Sequence, residues 1–300
     1  MSLKAVGVVE IPDSAGTLFD HGAFDPKSRR VFLAHTARDR VEVIDRDTRR
    51  HLATLPGFPE AAGVVADGGQ VFVTNRGAAS LAWVNAATLE TRAVFDTGPR
   101  PNGVAVSSSL RLAAVACIGD DVHGPELQIF DFDGSGPRRS IELPGRPRWC
   151  VMNQEGTRVF LAIREPSQVL VAGLPDLNEV ERWVLASEGA HGIDIDHRAR
   201  LLYVACDGGA LLELDARTGQ ERRQWPLAGV PDATFFNPAS GLVHVAIRDP
   251  GLVQSVDTQT GASTHFKTQL GAKTTALVDP DQLYVFSPLH HGVFILMEAS

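Results

Sequence analysis

The sequence predicts an all-β chain folded as a seven-bladed β-propeller with four-stranded antiparallel blades, and three observations predict it. A phrase of apolar strand, polar turn and second strand recurs along the 300 residues. Aligning the first strand of each copy places Asp20, Ala62, Asn102, Arg148, His191, Asp232 and Thr274 in one column, at spacings of 42, 40, 46, 43, 41 and 42 residues. Helical periodicity is nearly absent. A period in the forties with about four short strands marks propeller blades, whereas helical solenoids carry a 3.6-residue repeat.

The first blade holds RVFLAHTARDRVEVIDRDT (30–48), two aliphatic runs about a polar turn. The second repeats it as QVFVTNRGAASLAWVNAAT (70–88), and the third, weaker copy (111–133) carries a longer central loop, Gly119–Pro125. RVFLAIREPSQVLVAGLPD (158–176), LLYVACDGGALLELDART (201–218) and LVHVAIRDPGLVQSVDTQT (242–260) supply blades four to six. The seventh, QLYVFSPLHHGVFILM (282–297), is incomplete, because the sequence stops soon after a third strand at Val293–Met297. Val6–Ile11 precedes blade 1 and belongs to no other unit, so it is expected to be the outer strand of blade 7. That pairing closes the ring and removes exposed sheet edges. Residues 1–300 then form one propeller domain without a linker.

Composition narrows the function classes. With 28 basic and 36 acidic side chains the chain carries −8, and no segment concentrates Lys and Arg as binding to a phosphate backbone requires. A nucleic-acid partner is not expected. No stretch of 18 consecutive apolar residues occurs, and the start, MSLKAVGVVEIP, has only the apolar run Ala5–Val9, so neither a membrane span nor a signal peptide is expected. Cys117, Cys150 and Cys206 are odd in number, widely spaced and without a C-x-x-C pair. They read as reduced, buried thiols of a cytoplasmic protein. Nucleophile-elbow, Walker and dinucleotide-binding motifs are missing.

In a propeller the loops between blades and those from second to third strand emerge on one face, around the mouth of the central channel. Loops on a rigid scaffold are where sites are usually built. The first-strand column starts right after the inter-blade loop, with Pro101-Asn102, Pro147-Arg148 and Pro231-Asp232 setting it up. A second column follows the second strand, at Thr36, Arg76, Ile118, Arg164, Asp207, Arg248 and Pro288. His21, His35, His123, His191, His290 and His291 map to the same face.

Asp20, His21, Glu60, Asn102, His191 and Asp232 form a candidate divalent-metal set of imidazole, carboxylate and amide donors. Such a mixture suits zinc, manganese, iron or magnesium better than calcium. Water-mediated hydrogen bonding between blades is the structural alternative. Arg76, Arg164 and Arg248 are candidates for holding a carboxylate or phosphate, against inter-blade ion pairs with Glu165 or Asp249. Arg148 is the better anion candidate, and Trp149 beside it offers an aromatic face for stacking. His290-His291 reads as a solvated loop, and His123 with Asp120 and Asp121 as a surface loop that could cap the site. Trp83, Trp183 and Trp225 sit in strand patterns and read as core.

The repeats RPNGVAVSSSLRLAAVAC and QVFVTNRGAASLAWVNAATLETRAVFDTG, with VFVTN at 71–75, resemble the YVTN-type seven-bladed propellers over essentially the whole chain. That resemblance implies the fold, and such propellers serve as binding surfaces, scaffolds and enzymes alike. The His21-Gly22 and His191-Gly192 phrases resemble those of streptogramin B lyases. Gluconolactonase propellers share metal chemistry on the axis, but with six blades. The resulting expectation is a metal-assisted lyase or hydrolase acting on a small anionic or lactone-like molecule. His191 or His21 would move the proton and an arginine would hold the anion. The alternative is a non-catalytic propeller that binds a protein or small molecule.

Overall fold

The computed structural model describes residues 2–132, 139–287 and 292–299. Pro288, His290 and His291, singled out in the sequence, lie outside the described residues. Seven four-stranded antiparallel sheets surround one axis, as the repeat spacing predicts. Their inner strands are Gly22–Asp25, Ala61–Asp67, Pro101–Ser107, Pro147–Met152, Ala190–Asp196, Val230–Asn237 and Thr275–Val278. Among the described residues, helical geometry is confined to two short 3-10 turns, Thr36–Arg38 and Arg76–Ala78.

Burial explains the sequence pattern inside a blade. The second strand of blade 5, Leu201–Cys206, is buried throughout, since neighbouring blades cover both its faces, and it therefore reads as an unbroken apolar run. The outer strand of the same blade, Glu221–Pro226, buries only Trp225. Between blades the faces interdigitate: Ala105, Ala114 and Leu127 of blade 3 pack with Leu161 and Leu170 of blade 4. The three cysteines are free and buried in these layers, and burial pushes the Cys150 and Cys206 thiols up.

Ring closure follows the expectation. Ser2–Glu10 pairs antiparallel with Gly292–Ala299, Val9 opposite Val293, as the outer strand of blade 7. Blade 7 thus combines both ends of the described chain, and this pairing closes the ring.

The inner strands converge at the mouth, and glycine makes that convergence possible. A Cβ on Gly103 would lie 2.6 Å from the Arg148 carbonyl oxygen, and one on Gly192 would lie 2.5 Å from that of Asp232. Each glycine follows a residue of the first-strand column, so the bare backbone lets the next blade approach. The His191-Gly192 phrase therefore has a packing cause.

Candidate functional site

A cavity of about 260 Å³ opens at the channel mouth, lined by Asp20, His21, Asn102, Arg148, Trp149, His191 and Asp232 from the first-strand column and its neighbours. Arg76 and Arg248 join them from the second column. The topology thus gathers onto one surface residues more than 200 positions apart in the chain. Hydrogen bonds between blades fix their positions: the His21 backbone amide donates to Ala62 O at 3.1 Å, and the Asn102 side-chain Nδ2 donates to Arg148 O at 2.8 Å.

Two histidines reach this cavity, and each is held by an aspartate that also binds an arginine. His21 Nδ1 lies 2.6 Å from Asp20 Oδ1, and Arg76 donates to Asp20 Oδ2 at 2.7 Å. His191 Nδ1 lies 2.8 Å from Asp207 Oδ1, and Arg164 Nε donates to Asp207 Oδ2 at 2.8 Å. Burial alone would raise both carboxyls, but the hydrogen bond and charge of the histidine, with the nearby cations, outweigh it and hold Asp20 and Asp207 below the usual range. An ionised carboxylate only accepts, so in the neutral ring the hydrogen sits on Nδ1 and Nε2 is left as a base. His191 Nε2 lies 3.9 Å from Asp232 Oδ2. The imidazole of His21 stacks on Trp149, centroids 3.8 Å apart and planes 4° from parallel, which locks its ring.

The electrostatics are one-sided. Arg76, Arg100, Arg146, Arg148, Arg248 and Lys273 line the cavity against two carboxylates, Asp20 and Asp232. Among the described residues, no carboxylate forms an ion pair with Arg100, Arg146, Arg148, Arg248 or Lys273. Burial, and then the charge of Arg146, push Arg148 down to about 10. Arg146 is lowered by burial and by Arg100, Arg164 and Arg76. Arg148 Nε is buried with no hydrogen-bond partner. Like charges held this close, with a donor left unmade, form a site that an anion would complete.

Two sequence-derived candidates lie elsewhere. Glu60 is exposed on the loop before blade 2, outside the cavity lining, with its backbone amide on Asp39 Oδ1. Arg164 sits in a side depression with Glu165, Ser167 and Asp207, where its guanidinium is spent on Asp207 rather than on Glu165. His35 is buried under blade 1 against Glu42, and His123 is exposed beside Asp120; neither lines the cavity. Arg100, Arg146 and Lys273 were not singled out in the sequence, and Asp207 was placed in the second-strand column without a role. A signal for two of them exists: Arg100-Pro101 and Arg146-Pro147 occupy the same place in successive repeats.

The donor set for a divalent metal does not converge. Asp20 already serves His21 and Arg76, and Asn102 Oδ1 accepts from Arg76. Among the described residues no three His, Cys, Asp or Glu side chains are grouped to hold a metal ion. The remaining donors, His21 Nε2 and the His191 Nε2–Asp232 pair, stand in a cationic surround that disfavours a further cation.

No protein-family model matches the chain, and no curated protein matches it in sequence. The structure is similar to a chain of hydrazine synthase from Kuenenia stuttgartiensis, with TM-score 0.81 and 15% identity over 96% of this chain and 97% of that one. It is similar also to a streptogramin B lyase, with TM-score 0.82 and 9% identity over 99% of this chain and 98% of that one. The likeness to streptogramin B lyase propellers expected from the sequence is therefore present in the fold, while no family model supports membership of the YVTN-type family. Identities this low establish the propeller and nothing finer. No described helix is long and apolar enough to cross a membrane.

Proposed function

We propose that the channel mouth binds a small, multiply charged anion and moves protons on it, as a lyase acting by general acid–base catalysis. The observation that carries the reading is the pair of Arg–Asp–His chains, Arg76–Asp20–His21 and Arg164–Asp207–His191, converging on one cationic cavity. An aspartate on Nδ1 fixes the tautomer and stabilises the imidazolium that forms when Nε2 takes a proton. In the proposed step His191 Nε2 removes the proton from the carbon next to a carboxylate or ester carbonyl. The electron pair left behind forms a C=C bond as the neighbouring C–O bond breaks, and protonated His21 gives its proton to the departing oxygen. Arg148 and its neighbours hold the charge that develops on the carbonyl oxygen, where fixed cations act without reorganisation. The same pair would serve hydrolysis of a lactone, with water in place of the carbon acid. A streptogramin B lyase has the same propeller fold, so the scaffold is compatible with the lyase reading.

The test is a panel of small carboxylate esters and lactones with turnover followed by product analysis. Turnover by the native protein, reduced about 10²–10⁴-fold in both His191→Ala and His21→Ala at unchanged circular dichroism, is the expected outcome. Full activity in either variant would overturn the assignment of that histidine.

A further inference from the structure

Beneath the mouth the channel widens into a second cavity of about 560 Å³, a size typical of small-molecule sites. Trp149 and Phe235 border both cavities. The lower one is walled by inner strands of all seven blades, with Val64, Val104, Met152, Ile195 and Leu277 among its apolar surfaces. Its charge is the reverse of the mouth's: no Lys or Arg lines it, and its two carboxylates are Asp67 and Asp194.

Asp194 lies among the apolar walls. Its Oδ1 accepts from the Ile195 amide at 2.8 Å and its Oδ2 from the Phe236 amide at 2.7 Å. Two of the roughly four lone-pair positions of a carboxylate are thus filled, and no cation forms an ion pair with it among the described residues. Burial pushes its carboxyl up to about 6 against those two amide hydrogen bonds, the behaviour of an anion that lacks a counter-charge. Three aromatic residues, Phe24, Trp149 and Phe235, line the same cavity, and aromatic faces attract cations.

We propose that the lower channel binds an organic ammonium ion with an apolar body, its N–H groups on the free lone pairs of Asp194 and its body against the apolar wall. The ligand supplies the missing counter-charge and removes its own apolar surface from water against the apolar walls. The site is separate from the proton-transfer groups and does not depend on the function assigned to the mouth.

The experiment is calorimetric titration of the full chain at pH 8 with 2-phenylethylammonium and with its neutral isostere 2-phenylethanol. The expected result is at least tenfold tighter binding of the ammonium, and loss of that preference in Asp194→Asn. Should that variant fail to fold, the wild type at pH 5 serves instead, since the ammonium stays charged while Asp194 takes up a proton; the preference should shrink there. The other titratable groups of the lower cavity are Asp67, His197 and Cys150, and His197→Gln controls for protonation of the imidazole. The inner strands packed on Asp194's own carry Arg148 and Asp232, both at the mouth end. Equal affinity for the two probes, absence of binding by either, or an undiminished ammonium preference in Asp194→Asn would each overturn the proposal.

Discussion

His191 Nδ1 and Asp207 Oδ1 lie 2.8 Å apart across blade 5, and Arg164 of blade 4 takes the other oxygen of the same carboxylate. His21 and Asp20 repeat the relationship on blade 1, with Arg76 of blade 2 in the role of Arg164. An arginine on the far oxygen keeps the aspartate ionised and fixes its plane, which in turn fixes the ring.

Asp207→Asn should disorder the tautomer of His191. An amide donates as well as accepts, so the hydrogen is no longer confined to Nδ1. Nitrogen-15 spectra of the imidazole at pH 8 should show the Nδ1–H form in the native protein and a mixture in the variant, with turnover on any substrate reduced about 10²–10⁴-fold. A native protein already in the Nε2–H form would contradict the geometry.

Arg148→Met should have opposite effects on the free and the liganded protein. Removing one cation from a crowded, partly buried cluster relieves repulsion, so the Tm at low salt should rise, by about 1 kcal/mol in stability. The Tm increase that a multiply charged anion such as citrate produces should shrink in the same variant, since that increase follows occupancy. A fall in Tm at low salt would mean that Arg148 is a structural ion-pair partner.

Glu42 sets an acid limit on stability. His35 Nδ1 and His51 Nε2 each lie 2.8 Å from its oxygens, and Arg40 Nε lies at 2.6 Å. Burial would raise its carboxyl, but hydrogen bonds from His35, His51 and Thr54 and the charge of Arg40 outweigh it and hold the group at about 2. A depressed carboxyl contributes stability that is present above its unfolded value and is lost as pH falls through the folded one. Glu42→Gln should therefore lower stability by about 3 kcal/mol at pH 7, and the gap should close between about pH 4.5 and 2. A gap independent of pH would remove ionisation from the explanation.

Gly192→Ala should destabilise the ring, because its Cβ would meet the Asp232 carbonyl oxygen and the Thr234 hydroxyl. Overpacking of this kind costs about 1–3 kcal/mol, read as a lower midpoint in urea. An unchanged midpoint would show that blades 5 and 6 separate freely.

The ring itself was legible because each blade repeats the same burial problem: two apolar strands covered on both faces, as in Leu201–Cys206, recur at one spacing. The closing strand was legible by elimination, since Val6–Ile11 had no other partner. Most of the mouth could also be read, because a residue starting an inner strand is fixed by pairing to Cys117, Cys206 or their equivalents on the second strand. Loop residues were not. Glu60 and Arg100 both precede an inner strand, yet Glu60 turns to solvent in a left-handed backbone conformation while Arg100, also left-handed, lines the cavity. Nothing local in the sequence separates the two. For Arg164 the sequence left ligand binding and an inter-blade ion pair open, and the partner it has, Asp207, was not legible because it lies on the next blade, 43 residues away.

The most direct test of an anion site furnished with two proton-transfer histidines is a nitrogen-15 titration of the His21 and His191 side chains with citrate. The expected result is that both imidazole signals shift along one saturation curve and that Arg148→Met weakens the fitted Kd at least tenfold. Histidine signals that stay still while the anion binds, or an unchanged Kd in Arg148→Met, would contradict it.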